Sequence, residues 1–348
     1  MPAAVPYRLK LPVNILTVPD LHKRDTDYNS IRACRLAQKA VQEDIIEYLE
    51  STPNSAFISF GDWYDKGYRN VCRLFTDVWY DRRIAHAADR GAFICTGNHL
   101  LLERDANPEM YIIQPSYLYN TREETPMDEP IFRTVPYIIA GKVQISFFHF
   151  NKTDKNYVQR RQPGVELHIG IYHDDCVLPT DIRRLDGWFG ETSSEYLDNI
   201  FSNVDVALFG HIHTAVGTRM YTLLSGKQIP LIIPGAMSLT SNKESMKHRE
   251  VDCPVISINE DGECEIKFQT MSTHMELLKI YENSEKVRAE GSSDITALKQ
   301  ENVELREVHS MQDYLKQRGY EDRDIETIMD ALPGKLDLSM LVAKYGGD

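Results

Sequence analysis

Long apolar runs and clustered cysteines are both missing from this sequence. None of the apolar runs approaches the ~20 residues that a membrane-spanning helix needs, and the N-terminal segment has no apolar core of the signal-peptide kind. The six cysteines form no C-x-x-C pair, and several lie inside apolar runs, which favours reduced core thiols. We therefore expect a cytoplasmic protein without a membrane-spanning segment.

Positive charge is also scarce. The net charge is −13, with 39 basic against 52 acidic residues, which argues against a general nucleic-acid coat protein. A phosphate-bearing partner would have to meet bound cations or a local basic patch. Six basic residues either gather into such a patch or form a charged surface loop: Lys152, Lys155, Arg160, Arg161, Arg183 and Arg184.

The hydrophobic content of 42% and the charged content of 26% are those of an ordinary globular protein. In the first hundred residues, apolar strand-like runs alternate with helical patterns, which predicts a largely parallel sheet with right-handed crossovers. The strands are predicted at 13–18, 56–60 and 92–96, with helices at 30–50 and 69–90. Further strands are predicted up to residue 268, and we expect those that follow residue 213 to form a second sheet packed against the first.

Polar side chains suited to metal binding follow several of these strands directly. Open α/β sheets place their functional sites at the carboxyl ends of strands. In the segment Gly210-His211-Ile212-His213, residues two apart point to the same side, so both imidazoles could face one divalent ion. The complete set of motifs is Asp20-x-His22, Gly61-Asp62-x-x-Asp65, Gly97-Asn98-His99, His173 and Gly210-His211-x-His213.

The order and types of these motifs resemble the calcineurin-like metallophosphoesterases. The resemblance implies an α/β fold, a four-layer α/β/β/α sandwich, here with a small C-terminal helical appendage. It also implies two divalent metal ions, which we expect to be Mn²⁺. By resemblance, one ion is held by Asp20, His22 and His213, the other by Asn98, His173 and His211, and Asp62 bridges them. His99 would act on the leaving oxygen, and Asp65 would accept a hydrogen bond from a metal ligand.

Two positions in this set allow alternatives. His149 also ends a predicted strand and competes with His173 for the lone-histidine position. We favour His173, because one helix–strand unit separates it from the final H-x-H motif, and His149 is then a structural or rim residue. Many members of the family have an acidic residue directly after Gly-Asn-His, whereas this chain has Leu100. Glu103 or Asp65 would then have to orient His99.

The finer features resemble the SbcD-type DNA-repair nucleases, and phage recombination endonuclease subunits in particular. The spacing from His173 to His211 and the Pro234-Gly235 pair carry this resemblance, as does the helical pattern of residues 311–332. It implies a nuclease domain at 1–270, a linker or reduced capping region at 271–308 and a partner-binding helical tail at 309–348. The implied function is that of a two-metal-dependent DNA exonuclease or endonuclease subunit in recombination or repair.

The partners implied by this resemblance are DNA and an SbcC-type coiled-coil ATPase, with a homodimer as a further possibility. The implied location is the host cytoplasm, as for a phage protein. Two alternatives stay open. One is a phosphatase or small-molecule phosphodiesterase of the same superfamily without an ATPase partner. The other is a metallophosphoesterase scaffold that serves as a binding or inhibitor protein.

Overall fold

The computed structural model of the chain describes residues 6–23, 34–65, 71–98, 131–150, 159–185, 187, 190–237 and 250–271. The predicted region 271–308 lies outside these residues except for Met271, which ends a strand. The predicted tail 309–348 also lies outside them, as do His99, Leu100, Glu103, Lys152 and Lys155. Within the described part, no helix is both long enough and apolar enough to cross a membrane.

Two β-sheets and four α-helices make up the described fold. The helices are α1 (Cys34–Ser51), α2 (Val71–Ala87), α3 (Thr180–Leu185) and α4 (Ser194–Phe201). The strands of the first half are β1 (Tyr7–Leu9), β2 (Val13–Val18), β3 (Ser55–Ser59), β4 (Ala92–Ile94), β5 (Tyr137–Ala140) and β6 (Val143–Phe148). The remaining strands are β7 (Leu167–Tyr172), β8 (Val206–Phe209), β9 (Gly217–Thr222), β10 (Gln228–Ile233), β11 (Val251–Ile258) and β12 (Cys264–Met271).

The smaller sheet has five strands in the order β12-β11-β2-β3-β4. Its strands β2, β3 and β4 are parallel, and α1 and α2 connect them, so the parallel arrangement predicted from the first hundred residues is confirmed. The larger sheet has seven strands in the order β1-β5-β6-β7-β8-β10-β9. Its strands β6, β7 and β8 are also parallel.

The closing hairpin does not belong to the second sheet. Although β9 and β10 join the larger sheet, β11 and β12 return to the smaller one, where β11 pairs antiparallel with β2. The expectation that all strands after residue 213 form the second sheet was therefore wrong. Strand β2 is buried on both faces and needs hydrogen-bond partners along both edges; β3 supplies one edge and β11 the other.

Three apolar clusters separate four layers. One cluster lies between α1, α2 and the smaller sheet and includes Leu16 and Phe57. The second lies between the two sheets and includes Ile15 and Ile58. The third lies between the larger sheet and α3 and α4. Neighbouring residues of β2 and β3 thus serve opposite faces, as the pleat requires, and the predicted four-layer α/β/β/α sandwich is confirmed.

Candidate metal centre

The site lies where the carboxyl ends of both sheets meet. The smaller sheet contributes the loops that follow β2, β3 and β4, and the larger sheet contributes those that follow β7 and β8. Through these five loops the fold brings together side chains that are far apart in sequence. They are Asp20, His22, Asp62, Asn98, His173, His211 and His213.

Asp20, His22 and His213 form the first group of ligand-competent side chains. One potential ligand atom from each lies within 4.8 Å of the others. The Nε2 atoms of His22 and His213 are 3.0 Å apart. Two imidazole nitrogens that converge beside a carboxylate are a usual ligand set for a divalent transition metal.

Asp62, His173 and His211 form the second group, with the same spread of ligand atoms. The Nδ1 of His173 lies 3.0 Å from the carbonyl oxygen of Phe60, and an Nδ1–H that donates there leaves Nε2 as the nitrogen for a metal. This Nε2 atom is 3.1 Å from Oδ2 of Asp62 and 3.2 Å from Oδ1 of Asn98. The Asn98 side chain is thus placed with the second group.

The two groups are joined through Asp20. Its Oδ2 accepts a hydrogen bond of 2.6 Å from the backbone N–H of His211, which belongs to the other group. Its Oδ1 lies 3.4 Å from Nδ1 of His173. The two groups are therefore parts of one continuous centre.

Electrostatics at the centre favour the binding of cations. Burial raises the pKa of Asp20, against the opposing effect of His173. Burial alone would lower the pKa of His173, but the carboxylates of Asp62 and Asp20 raise it to about 9. In the metal-free protein the His173 proton therefore supplies part of the positive charge that two buried carboxylates require.

These residues fit a pair of divalent ions. Burial, together with the imidazoles of His22 and His211, lowers the pKa of His213 to about 2, so its ring is neutral, the form that binds metal. Asp20 Oδ1 is buried and has no hydrogen-bond partner among the described residues. A buried carboxylate oxygen without a donor is costly, and a metal ion would satisfy it.

The backbone at the centre is unusual. Four non-glycine residues of the described chain have positive φ, and three of them belong to the site: His22 at 50°, Asp62 at 38° and His211 at 70°. Side chains in the left-handed region cost free energy that surrounding contacts must supply, and such residues concentrate at functional sites. The backbone of these loops thus adopts a costly conformation in order to direct the three side chains into the site.

Two glycines allow the site side chains to approach the backbone closely. A Cβ atom at Gly210 would lie 2.6 Å from Oδ1 of Asp20 and 2.7 Å from Nδ1 of His173. A Cβ atom at Gly97 would collide with the carboxylate and the backbone nitrogen of Asp62. The glycines of the predicted motifs therefore provide space for the ligands themselves.

Asp65 lies beside the first group. Its Oδ1 is 3.7 Å from Nδ1 of His22, which is too long for a direct hydrogen bond but close enough for an electrostatic contact. Its backbone N–H donates to the carbonyl of Lys23 at 2.8 Å. Asp65 thus lies next to a ligand-competent residue, and its role in orienting a metal ligand stays a prediction.

His149 is held by other contacts. Its Nδ1 accepts from the backbone N–H of Thr96 at 3.0 Å, and its Nε2 lies 3.1 Å from the carbonyl oxygen of Val135. Both ring nitrogens are thus engaged in joining the end of β4 to the segment before β5. The structure places His173, not His149, among the ligand-competent residues.

The burial of His149 has a measurable consequence. Burial lowers the pKa of His149 to about 4. As the pH falls from 6.5 to 4, this histidine is protonated in the unfolded chain but still neutral in the folded protein, so the free energy of unfolding decreases over this range. A shift of this size corresponds to roughly 3 kcal/mol. We expect urea unfolding at a series of pH values to show a smaller loss of stability for His149→Gln than for the wild type. Identical pH dependence of the two proteins would contradict this account.

Two of the six basic residues, Arg161 and Arg183, have acceptors within the described fold. Arg161 pairs with Asp205 at the amino-terminal ends of β7 and β8, opposite the site. The Arg183 guanidinium is buried and donates to the carbonyl of Gly190 and the hydroxyl of Thr192, each at 2.9 Å. These two arginines are therefore engaged in contacts within the fold.

Sequence reasoning missed the residues that support the loops. The Gln38 amide of α1 donates to the backbone carbonyl of His22 at 2.8 Å. Lys23 is fully buried and pairs with Asp81 of α2. Neither charged residue shows a sign of burial in the sequence, because Lys23 stands between His22 and Arg24 and Asp81 is followed by Arg82 and Arg83.

The comparisons with known proteins agree with this geometry at the level of the family. A model of the family described as calcineurin-like phosphoesterase matches residues 13–215, more than half of the chain. No curated protein sequence matches the chain.

The solved structures that are distantly similar to the chain include the following two. The NAD nucleotidase NadN of Haemophilus influenzae is 15% identical, with a TM-score of 0.36 over 75% of this chain and 49% of that one. The chain thus spans about half the length of that protein. Vps29 of Chaetomium thermophilum is 11% identical, with a TM-score of 0.27 over 75% of this chain and 99% of that one. These two similarities say nothing about the substrate. Because the family model matches more than half of the sequence, the chain belongs to the calcineurin-like phosphoesterase family.

Proposed function

We propose that this chain is a two-metal-dependent phosphodiesterase that cleaves DNA together with an SbcC-type coiled-coil ATPase. Family membership indicates a metal-dependent hydrolase. The observation that carries the proposal further is the meeting of two ligand-competent groups in one continuous centre. A centre with two ions suits in-line displacement at a phosphodiester, since both the attacking and the leaving oxygen need stabilisation.

We assign the metal ligands as follows. Asp20, His22 and His213 would hold one ion, Asn98, His173 and His211 the other, and Asp62 would lie between them. Two divalent ions held by these residues would activate a water molecule for attack and offset the negative charge on the phosphoryl oxygens. Two carboxylates and an amide oxygen among the imidazoles suit Mn²⁺, which we propose as the metal.

His99 is proposed to stabilise or protonate the leaving oxygen. His99→Ala should therefore keep its metal but lose turnover by about 10²–10⁴-fold, the usual contribution of general acid–base catalysis. Metal content and kcat measured on the same preparation check this. His86→Ala, at an exposed histidine in the last turn of α2, is the control and should keep both. Loss of metal from His99→Ala would make His99 a ligand instead.

DNA as the substrate rests on the resemblance to SbcD-type nucleases. One feature of that resemblance, the Pro234-Gly235 pair, leads into a segment that contacts the centre. The N–H of Ala236 donates to the carbonyl of His213 at 3.1 Å, and the N–H of Met237 donates to the carbonyl of Asp20 at 2.8 Å. The segment therefore lies beside the first ligand group and supports both of its loops.

A comparison of substrates tests the function. We expect the purified protein with Mn²⁺ to hydrolyse labelled linear DNA and a generic phosphodiester, and to lose both activities in EDTA. A matched phosphomonoester should be a poor substrate. Preferential hydrolysis of the monoester, with no cleavage of DNA, would instead favour the phosphatase alternative.

The ATPase partner is proposed to bind the helical tail, residues 309–348. Apolar residues at helical spacing in this segment could enter a groove on a coiled coil. Truncation after residue 308 should then leave basal phosphodiesterase activity intact and abolish co-purification with the ATPase. If the truncated chain unfolds or loses basal activity, the tail belongs to the core and the partner proposal fails.

A further inference from the structure

A buried ion pair lies directly behind the metal centre. Lys23, next in sequence to His22, and Asp81 in the middle of α2 both have fully buried side chains and pair with each other. The Asp81 carboxylate also accepts a hydrogen bond of 2.7 Å from the Trp63 indole and one of 2.6 Å from the Tyr64 hydroxyl. The Asp81 carboxylate thus accepts from Lys23, Trp63 and Tyr64 together.

The surroundings of the lysine are equally specific. Its ammonium group lies 4.8 Å from the ring centroid of Trp63 and 5.2 Å from that of Tyr64, within the range of cation–π attraction. It also donates to the backbone carbonyl of Asp77 at 3.2 Å. Burying charges is costly unless they are paired and hydrogen-bonded. Such a complete set of partners makes the geometry of this cluster well determined.

The three donors come from the two loops that carry metal-ligating residues. Lys23 belongs to the loop after β2, which carries His22, whereas Trp63 belongs to the loop after β3, which carries Asp62 and Asp65. The two loops also pair through their backbones. The backbone N–H of His22 donates to the carbonyl oxygen of Asp62 at 2.8 Å, and the backbone N–H of Lys23 donates to the carbonyl oxygen of Trp63 at 2.9 Å. Asp81 therefore fixes both loops to the same point on α2.

We propose that Asp81 is a positioning residue for the metal centre. By holding the loop after β2 and the loop after β3 against α2, it sets the separation between the first ligand group and Asp62. The left-handed backbone of His22 and Asp62 requires such external support. The inference rests on the proposed two-metal function, because the separation that it sets is that of the two ions.

Asp81→Asn tests this, since the amide keeps the shape of the side chain but loses its charge and one acceptor oxygen. We expect the variant to fold, as judged by circular dichroism, and to bind metal about 10- to 100-fold more weakly, the usual effect of removing support behind a ligand. The visible absorption spectrum of the Co²⁺-loaded variant should also differ from that of the Co²⁺-loaded wild type, because the geometry of the ligands around the metal changes.

Asp205→Asn is the matched control. Asp205 also pairs with two basic side chains, Arg161 and Lys227, and accepts from the N–H of His168, but at the opposite end of the strands. This control should lower the melting temperature without changing metal affinity or the Co²⁺ spectrum. A change of the spectrum in both variants would mean that general destabilisation is the cause, and would overturn the inference.

The remaining outcomes are distinct. If the wild type binds two ions and Asp81→Asn binds them with the same affinity and spectrum, the positioning role is wrong. If the wild type binds no metal, the proposed function itself fails, and this inference with it.

If Asp81→Asn does not fold, Tyr64→Phe decides, because it keeps the ring beside Lys23 and removes one of the hydrogen-bond donors to Asp81. An unchanged Co²⁺ spectrum in Tyr64→Phe would overturn the inference, and a shifted one would support it.

Discussion

Replacing Asp62 by alanine is expected to remove metal from both ligand groups and to abolish hydrolysis. The Asp62 carboxylate lies 3.1 Å from Nε2 of His173 in its own group, and its charge also raises the pKa of Asp20 in the other group. As the proposed bridge, it is the one ligand whose loss weakens both sites. Elemental analysis and a phosphodiesterase assay on the same preparation measure the two effects.

The control for this variant is Asp198→Ala. Asp198 accepts from the N–H of Leu224 at 2.6 Å and lies on α4, outside the metal centre. Its removal should cost some stability but leave metal content and activity near those of the wild type. Full metal occupancy together with full activity in Asp62→Ala would show that Asp62 does not bridge.

Gly210→Ala is expected to cause a comparably large loss without changing any ligand. The new Cβ atom would lie 2.6 Å from Asp20 and 2.7 Å from His173, distances at which one of these side chains must move. Gly210 does not have the positive φ that would strain an alanine. The substitution therefore tests only the steric contact of the new Cβ atom with Asp20 and His173. Because a misplacement of about 1 Å costs roughly 10²-fold in rate, we expect a loss of at least that size together with weaker metal binding.

Gly190→Ala provides the comparison for this second variant. Its Cβ atom would lie 3.2 Å from the end of the Arg183 side chain, which can shift. Gly190 lies between α3 and α4, not in a loop that carries a ligand-competent residue. This variant should keep metal and activity. Unimpaired metal binding and turnover in Gly210→Ala would contradict the close packing described for Asp20 and His173.

The fold could largely be predicted, as could the side chains that the structure brings together in the two ligand-competent groups, because both depend on local patterns. The apolar runs of β2, β3 and β4 alternate with helical patterns, and ligand-competent residues follow them directly. Parallel strands bring such residues to one edge whatever the details of the loops. The choice of His173 over His149 depended on the spacing of motifs, and the structure adds the hydrogen bonds that engage His149 elsewhere.

What could not be predicted depends on contacts between distant segments. The return of β11 to β2 is determined by an open sheet edge, and edge pairing leaves no sign in either strand's own sequence. The burial of Lys23 against Asp81 brings together residues 58 positions apart. The structural use of Arg161 and Arg183 likewise depends on acceptors that only the folded chain supplies.

The number of divalent ions bound per chain decides whether the two ligand groups hold a pair of metal ions. After equilibrium dialysis against Mn²⁺, elemental analysis should find two ions per wild-type chain, one for each ligand group. His213→Ala, which removes a ligand of the first group only, should retain one ion, whereas Asp62→Ala should retain none. A wild-type chain that binds no ion, or a His213→Ala chain that binds as many ions as the wild type, would contradict the account.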